Sequence, residues 1–330
     1  MTVSLPSRGN LGWLGALLAG AMSAAAFGFA FAMADTLLVF LSYFSPVPVF
    51  AAGLGAGTIA GAIAALTGTL ILLLKTSQPL AVSYLLSMGF PAVLFTYLAL
   101  RRREGNDGKI YWYPEGYLLT AAVLYSCALF LAAVLLAMGR EGGLLGITSQ
   151  IFNQAMEPLA EKIEPEQTDS FKKMIEFLPR IFPAMMGIGW LVVMLFNALA
   201  AQSTLKQNKW NLRGAFSWRG IEPPAWIVIA VAATGITAAF APDPFGYVGL
   251  NLCVMLCLPL FFTGIAITHA WTATLRGGAW LLACFYILLA VLPWIALLVT
   301  IVGALDQGFH FRQRIAFAQE RPIKKGEEDD

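Results

Sequence analysis

Six polar side chains stand at the edges or inside of apolar stretches: Asp35, Tyr43, Lys75, Gln78, Tyr84 and Asn251. A carboxylate, an ammonium, two phenols and two carboxamides offer both signs of charge and both senses of hydrogen bond. That set can hold a small polar molecule, and nothing in it pairs a carboxylate with a second group as acid and base. In lipid such groups are costly, so they turn towards a bundle interior, a cavity or the interface. Each of them alone is also explained as an interfacial or snorkelling side chain. Under the topology derived below all six fall on the outer side of the membrane, and that shared side makes them a candidate ligand lining.

Catalytic and metal chemistry fail by absence. There is no HExxH, GxSxG or GxxxxGK[ST] pattern and no Gly-Asp pair of the intramembrane aspartyl type. The four cysteines, Cys127, Cys253, Cys257 and Cys284, all lie in apolar stretches without a CxxC pair. Cys253 and Cys257 share a helix face, but the two histidines of the chain, His269 and His310, complete no ligand set around them. His269, with Arg276 just after it, fits a helix end at which a cation complements the dipole. The expectation is a binding protein without enzymatic activity, metal or cofactor.

The elements that hold these residues must be membrane helices. Of 330 residues 58% are hydrophobic and 12% charged, and the mean hydropathy is +0.72. So little polar surface cannot cover a soluble fold. The net charge of +2 forms no basic stripe, which argues against a nucleic-acid partner. Apolar segments of spanning length run over residues 11–33, 57–74, 79–100, 116–138, 181–201, 224–240, 246–269 and 278–305. The fold class is therefore all-α, a polytopic helical membrane bundle of about eight spans. Residues 1–311 form one integral membrane domain, and residues 312–330 a charged, disordered tail. Arg8 and Ala32-Met33-Ala34 before Asp35 imitate a signal-peptide cleavage site, but 11–33 is longer than the about 7–15 residues of a signal core.

Residues 45–61 interrupt the apolar pattern with Pro46, Pro48, Gly53, Gly55, Gly57 and Gly61. Irregular backbone at membrane depth survives only where protein or a water-filled cavity covers it, so Pro46, Pro48, Gly53, Gly55 and Gly57 are expected to wall the ligand cavity. The stretch reads either as an external loop before one long helix or as a half-helix returning into a second. Charge favours the half-helix. Arg101, Arg102, Arg103 and Lys109 form one basic loop, and Lys206, Lys209, Arg213 and Arg219 another; both are expected in the cytoplasm. A cytoplasmic N-terminus then requires two crossings between Asp35 and Leu74. Tyr111, Trp112 and Tyr113 before Pro114, with Trp226, Trp271 and Trp280, read as an aromatic belt. Pro293 kinks the last segment or turns it back.

Gly12, Ala16, Gly20, Ala24 and Gly28 recur every four residues in the first helix, a face along which another backbone can approach closely. It packs either inside the chain or against a separate membrane protein. Residues 139–180 are the one sizeable polar segment, with seven acidic and five basic residues and Pro158, Pro165 and Pro179. Short external amphipathic helices are expected there, with Leu159, Ile163, Phe171, Ile175 and Leu178 as an apolar edge.

Several short motifs follow one another along the chain: Pro46-Val47-Pro48-Val49 through Gly57, Gly89-Phe90-Pro91-Ala92, Trp112-Tyr113-Pro114, Gly264-Ile265-Ala266-Ile267-Thr268-His269-Ala270, and Gly303 through Arg312 with its Asp306-x-x-Phe309-x-Phe311-Arg312 ending. Together they resemble the YybS-like bacterial membrane proteins, domain of unknown function 2232, over nearly the whole chain. Phe90, where leucine is expected, and the length of residues 139–180 depart from that pattern. The resemblance implies a multi-pass protein of the bacterial inner membrane, of a family without an established activity. That family is itself thought similar to the substrate-binding S components of energy-coupling-factor vitamin transporters. The resulting expectation is a small-solute-binding, transporter-like component in the lipid bilayer, energised by a separate partner because no ATP motif is present. The alternative is a ligand-free scaffold or assembly factor for envelope or ribosome-linked machinery, docking through the first helix and residues 139–180.

Overall fold

Lipid offers a backbone no partner but itself, so long apolar runs become helices and their breaks fall at Gly, Pro and polar turns. The computed structural model describes residues 9–33, 40–160, 168–214, 216, 221–309 and 311. In chain order the helices are α1 (Gly9–Met33), α2 (Pro46–Ala56), α3 (Thr58–Lys75) and α4 (Gln78–Tyr84), which continues through a π-helical turn (Leu85–Gly89) into α5 (Phe90–Ala99). A hairpin of β1 (Arg102–Glu104) and β2 (Ile110–Trp112) follows. Then come α6 (Glu115–Ala137), α7 (Gly143–Ala160), α8 (Thr168–Gln207), α9 (Trp226–Phe240), α10 (Phe245–Thr272), α11 (Gly278–Val291) and α12 (Ile295–Phe309). The chain is an all-α polytopic membrane bundle. Among the described residues six helical stretches are long and apolar enough to cross a membrane: Gly12–Phe29, Thr58–Lys75, Gln78–Ala99, Glu115–Ala137, Lys173–Gln207 and Phe245–Thr272.

Two expected spans come out shorter. α9 has 15 residues, a rise of about 22 Å against a hydrocarbon layer of about 30 Å. The segment expected over 278–305 divides at Pro293, which has no N–H to continue the ladder, and Leu292 leaves the helix at φ −121°. One expected boundary is absent: α8 runs 40 residues straight through Pro179 and Pro183, so the second part of the polar segment is the start of a long helix.

Contacts divide the described chain into two compact units. One takes the residues up to Pro114 with Ile188–Phe216, and the other takes Glu115–Gly187 with the residues after Phe216.

In the first unit α1 lies against α3. A Cβ on Gly20 would lie 2.7 Å from Thr67 Cβ and overlap the Ala64 carbonyl oxygen, and one on Gly28 would lie 3.1 Å from Leu72. Ala16 and Ala24 are buried in the same face. From Ala16 to Gly28 the small-residue face is thus filled from within the chain, while Gly12 has nothing within 4 Å of its Cβ. Because the contacting numbers rise together, α1 and α3 are parallel, and the chain between them must come back. The return includes α2, a half-helix of 11 residues rising about 16 Å. Gly57, at φ +101°, makes the turn between α2 and α3 in a conformation that L side chains rarely adopt. Beyond it Gly61 settles on α2, where its Cβ would lie 3.1 Å from Gly53 Cα. Of the two readings of residues 45–57, the half-helix is the one observed.

In the second unit α10 is the central helix. α12 crosses it antiparallel at a pair of glycines: a Cβ on Gly303 would overlap the Leu260 carbonyl oxygen, and one on Gly264 the carbonyl oxygen of Val299. α9 approaches α10 at Gly249, whose Cβ would lie 2.8 Å from Ala238 N. α6 packs on α10 through Phe130 against Tyr247, ring centres 6.1 Å apart.

The hairpin between α5 and α6 is pinned by Asp107, which accepts from the Lys109 N–H at 3.1 Å and the Tyr111 hydroxyl at 2.9 Å. These donors, the Lys109 amide foremost, hold its carboxyl below the usual carboxylate range. The contribution is therefore complete above pH 3.8 and disappears as pH falls through the lower folded-state value. The NMR shift of the Lys109 amide proton should stay constant from pH 8 to about pH 5 and move only in stronger acid, a transition absent from Asp107→Asn. A second expectation concerns the α1 face. Gly20→Leu should lower unfolding stability in detergent by about 1–3 kcal/mol or more, whereas Gly12→Leu, with nothing within 4 Å of its Cβ, should change it by less than about 0.5 kcal/mol.

Candidate functional site

Of the six expected lining residues, Asp35 lies outside the described residues. Tyr43 has an exposed ring, and its carbonyl accepts from Asn197 Nδ2 at 2.7 Å. Lys75, in the last turn of α3, and Gln78, at the start of α4, are both exposed. Tyr84 is fully buried in the first unit. The Ser23 hydroxyl donates to the Ser45 carbonyl at 2.6 Å, so at the second 2.6 Å contact it is the Tyr84 hydroxyl that donates to Ser23. Phe27 meets the Tyr84 ring edge-on, and a Cβ on Gly68 would lie 2.6 Å from the Tyr84 hydroxyl oxygen. Tyr84 thus ties α1, α3 and α4 together and presents no group to a solute. Asn251 belongs to the second unit.

The expected cavity wall is a helix contact. A Cβ on Gly53 would lie 2.6 Å from Thr96 Cγ2, and one on Gly55 2.8 Å from Leu205 Cδ2. Pro46 is buried and Pro48 half-buried. The glycines are small because helices α5 and α8 rest on them, which is the other established use of small residues in lipid. Pro46 and Pro48 also remove two of the free N–H groups that a helix N-terminus would present to a solute.

A pocket does open in the second unit, between α7 and the start of α8. It has a volume of about 230 Å³ and is lined by Leu145, Ser149, Asn153, Ile175, Glu176 and Arg180. Both sides follow from helical spacing: Leu145, Ser149 and Asn153 repeat every four residues on α7, and Glu176 and Arg180 are one turn apart on α8. Phe152 and Phe182 hold the two helices together edge-on, ring centres 5.0 Å apart.

Two prolines shape this end of α8. Pro183 has no N–H for the carbonyl of Pro179, and the Thr148 hydroxyl of α7 comes within 3.4 Å of that oxygen, with the Leu144 and Leu145 carbonyls of its own helix nearer at 3.1 and 3.0 Å. One residue on, Ala184 N–H and Arg180 C=O are formal i to i−4 partners. The Asn251 side chain bridges them: its Oδ1 accepts from Ala184 N at 2.9 Å, and its Nδ2 donates to Arg180 O at 2.8 Å and to Tyr247 O at 2.9 Å. A carboxamide is the side chain that can serve both ends of an opened backbone pair. Asn251 is fully buried, and its role is to brace α8 rather than to meet a ligand.

Arg180 reaches the other way, to Asp243 at 2.9 and 3.0 Å. Asp243 Oδ1 also accepts from Tyr247 N at 3.0 Å and so caps the first turn of α10. Both partners of the ion pair are about 40% exposed, so it contributes about 0.2–1 kcal/mol and mainly fixes position. With Arg180 paired to Asp243, Glu176 is the lining charge that makes no ion pair among the described residues. Ser149, Asn153, Glu176, Arg180 and Asp243 were not among the residues singled out from the sequence. Their signal was there, in polar pairs four apart facing prolines four apart, but it lay in a segment that reads as solvated.

Removing the brace should be costly. Asn251→Leu is expected to lower stability in detergent by about 1–3 kcal/mol for each backbone group left unpaired. Asn251→Asp should recover part of this, since a carboxylate can accept from Ala184 N–H but cannot donate to Arg180 O. Equilibrium unfolding of the two variants measures the difference.

A comparison with curated proteins and with solved structures finds no match. A family model described as "Predicted membrane protein (DUF2232)" matches residues 23–307. That span runs from Ser23 in α1 to Gln307 in α12, takes in most of both compact units and the braced pocket, and the chain belongs to this family of predicted membrane proteins.

Proposed function

We propose that the chain is a multi-pass protein of the bacterial inner membrane that binds a small cationic or amine-bearing solute between α7 and α8. The observation that carries this reading is the pocket at Glu176, beside the proline turns of a helix that Asn251 braces at Arg180 and Ala184. Its volume of about 230 Å³ is below the about 300–1,000 Å³ of drug-sized sites, which favours a small ligand. Arg180 is neutralised by Asp243, so Glu176 sets the sign, and Ser149 and Asn153 supply orienting hydrogen bonds. The role is binding, with no chemical step. Movement across the membrane would draw on a separate energised partner, in the manner of the substrate-binding components of transporters.

The scaffold alternative relied in part on a free small-residue face on α1. Gly20, Ala24 and Gly28 are instead occupied by α3, which weakens that alternative.

Native mass spectrometry of the protein in lipid nanodiscs tests the proposal. A small non-lipid mass is expected on the wild type and should be lost from Glu176→Gln and from Asn153→Ala. Choline and ethanolamine should raise the melting temperature of the wild type, and acetate and succinate should not. Equal stabilisation by the anions would overturn the cationic assignment. An empty pocket accompanied by a stable protein subunit would favour the scaffold.

A further inference from the structure

The positive charge of the first unit is gathered at one place. Residues 100–114 and 205–214 hold seven basic side chains (Arg101, Arg102, Arg103, Lys109, Lys206, Lys209 and Arg213) against two acidic ones (Glu104 and Asp107), a local net charge of +5 in a chain whose total is +2. Arg213, only 6% exposed, fastens the two segments to each other. Its Nη1 donates to Ala99 O at 2.9 Å and its Nη2 to Tyr113 O at 3.0 Å, while Gln202 Nε2 donates to Arg213 O at 2.9 Å. The Tyr113 N–H closes the base of the hairpin on Arg101 O at 2.9 Å. Two loops that are about 100 residues apart in sequence therefore make one surface.

Aromatic rings set the arginines on that surface. Arg101 lies 5.8 Å from the Tyr97 ring centre and Arg103 5.7 Å from that of Tyr111, while Trp112 has Arg102 at 5.8 Å and Arg213 at 5.9 Å. A cation over a ring is positioned without being neutralised. Arg101, Arg103, Lys206 and Lys209 are exposed, and none is in an ion pair with a carboxylate among the described residues; Asp107 is taken by Lys109 at 3.8 Å.

Depth identifies the partner. Arg101 follows the Gln78–Ala99 span by two residues, and Lys206 stands in the last turn of the Lys173–Gln207 stretch. Charges at these positions sit where helices leave the hydrocarbon, at the level of lipid headgroups. Ile110, Tyr111 and Trp210 are exposed beside them, an apolar and aromatic rim suited to the same interface. A soluble acidic protein would have to enter the headgroup layer to reach these groups, whereas lipid phosphates are already there.

We propose that Arg101, Arg103, Lys206 and Lys209 form a binding platform for the phosphate headgroups of anionic phospholipids, with Arg213 as the positioning residue that joins its two halves. The site is separate from the solute pocket and stands or falls independently of it.

Native mass spectrometry of the full chain in detergent, titrated with phosphatidylglycerol or with phosphatidylcholine, tests this. The wild type should retain phosphatidylglycerol preferentially. The variant R101Q/R103Q/K206Q/K209Q should bind it at least about tenfold more weakly, since each basic group near an anionic surface is worth about fivefold. Should that variant fail to fold, K206Q/K209Q, which changes only exposed side chains at and just beyond the end of α8, should lose about half of the preference on a logarithmic scale. Arg140→Gln, at the far end of α6, should leave it intact. Equal retention of both lipids by the wild type, or unchanged phosphatidylglycerol binding in the variants, would overturn the proposal. So would displacement of the lipid by millimolar inorganic phosphate, which marks a simple anion site, or its replacement by a co-purifying acidic protein.

Discussion

Proline inside a lipid-covered helix leaves a carbonyl that the helix cannot use, and at two such places in this fold side chains from other helices come to the backbone. Pro91 deprives Ser87 of its partner; the helix loosens into a π-helical turn there, and Trp190 Nε1 donates to Ser87 O at 2.7 Å. Pro183 deprives Pro179, whose carbonyl the Thr148 hydroxyl approaches to 3.4 Å. Asn251 fills the opened pair next to it. Each donor comes from a helix distant in sequence, so satisfying the backbone also fixes which helices are neighbours. In water a solvent molecule could do the same and would specify nothing.

The second constraint is close approach. Without a hydrophobic force between helices in lipid, van der Waals contact has to hold them, and that requires surfaces on which backbones can meet. Gly20 on α3, Gly53 under Thr96, and Gly264 with Gly303 in the second unit all serve this end. The same residues that suggest a flexible cavity wall are thus those that pack most tightly. A glycine in a membrane helix is ambiguous on its own, because open space and a neighbouring backbone both exclude a side chain.

Polar function is left to the ends of helices. The pocket at Glu176 and the basic platform at the hairpin are each built from pairs one helical turn or one strand register apart, and each is braced by a buried polar residue, Asn251 in one case and Arg213 in the other. In both places the brace makes its hydrogen bonds to main-chain groups.

Composition and periodicity alone determined the class of this protein, because 58% hydrophobic residues arranged in runs of spanning length admit only helices in a membrane. They also placed the break at residues 45–61, with a loop or a half-helix both open there, and the small-residue face of α1, since Pro, Gly and four-residue repeats act locally. They did not reveal what those features touch. Whether the face of α1 meets α3 or another protein, whether Gly53 lines a cavity or carries Thr96, and whether Asn251 faces a ligand or splints Ala184 to Arg180 depend on which distant helix is adjacent. The extent of α8 through Pro179 and Pro183 was hidden for the same reason, because a proline ends an isolated helix but not one whose orphaned groups are satisfied from outside. Local sequence writes the elements of this bundle; only the tertiary structure supplies the partners that turn its prolines and polar residues into a brace, a pocket and a platform.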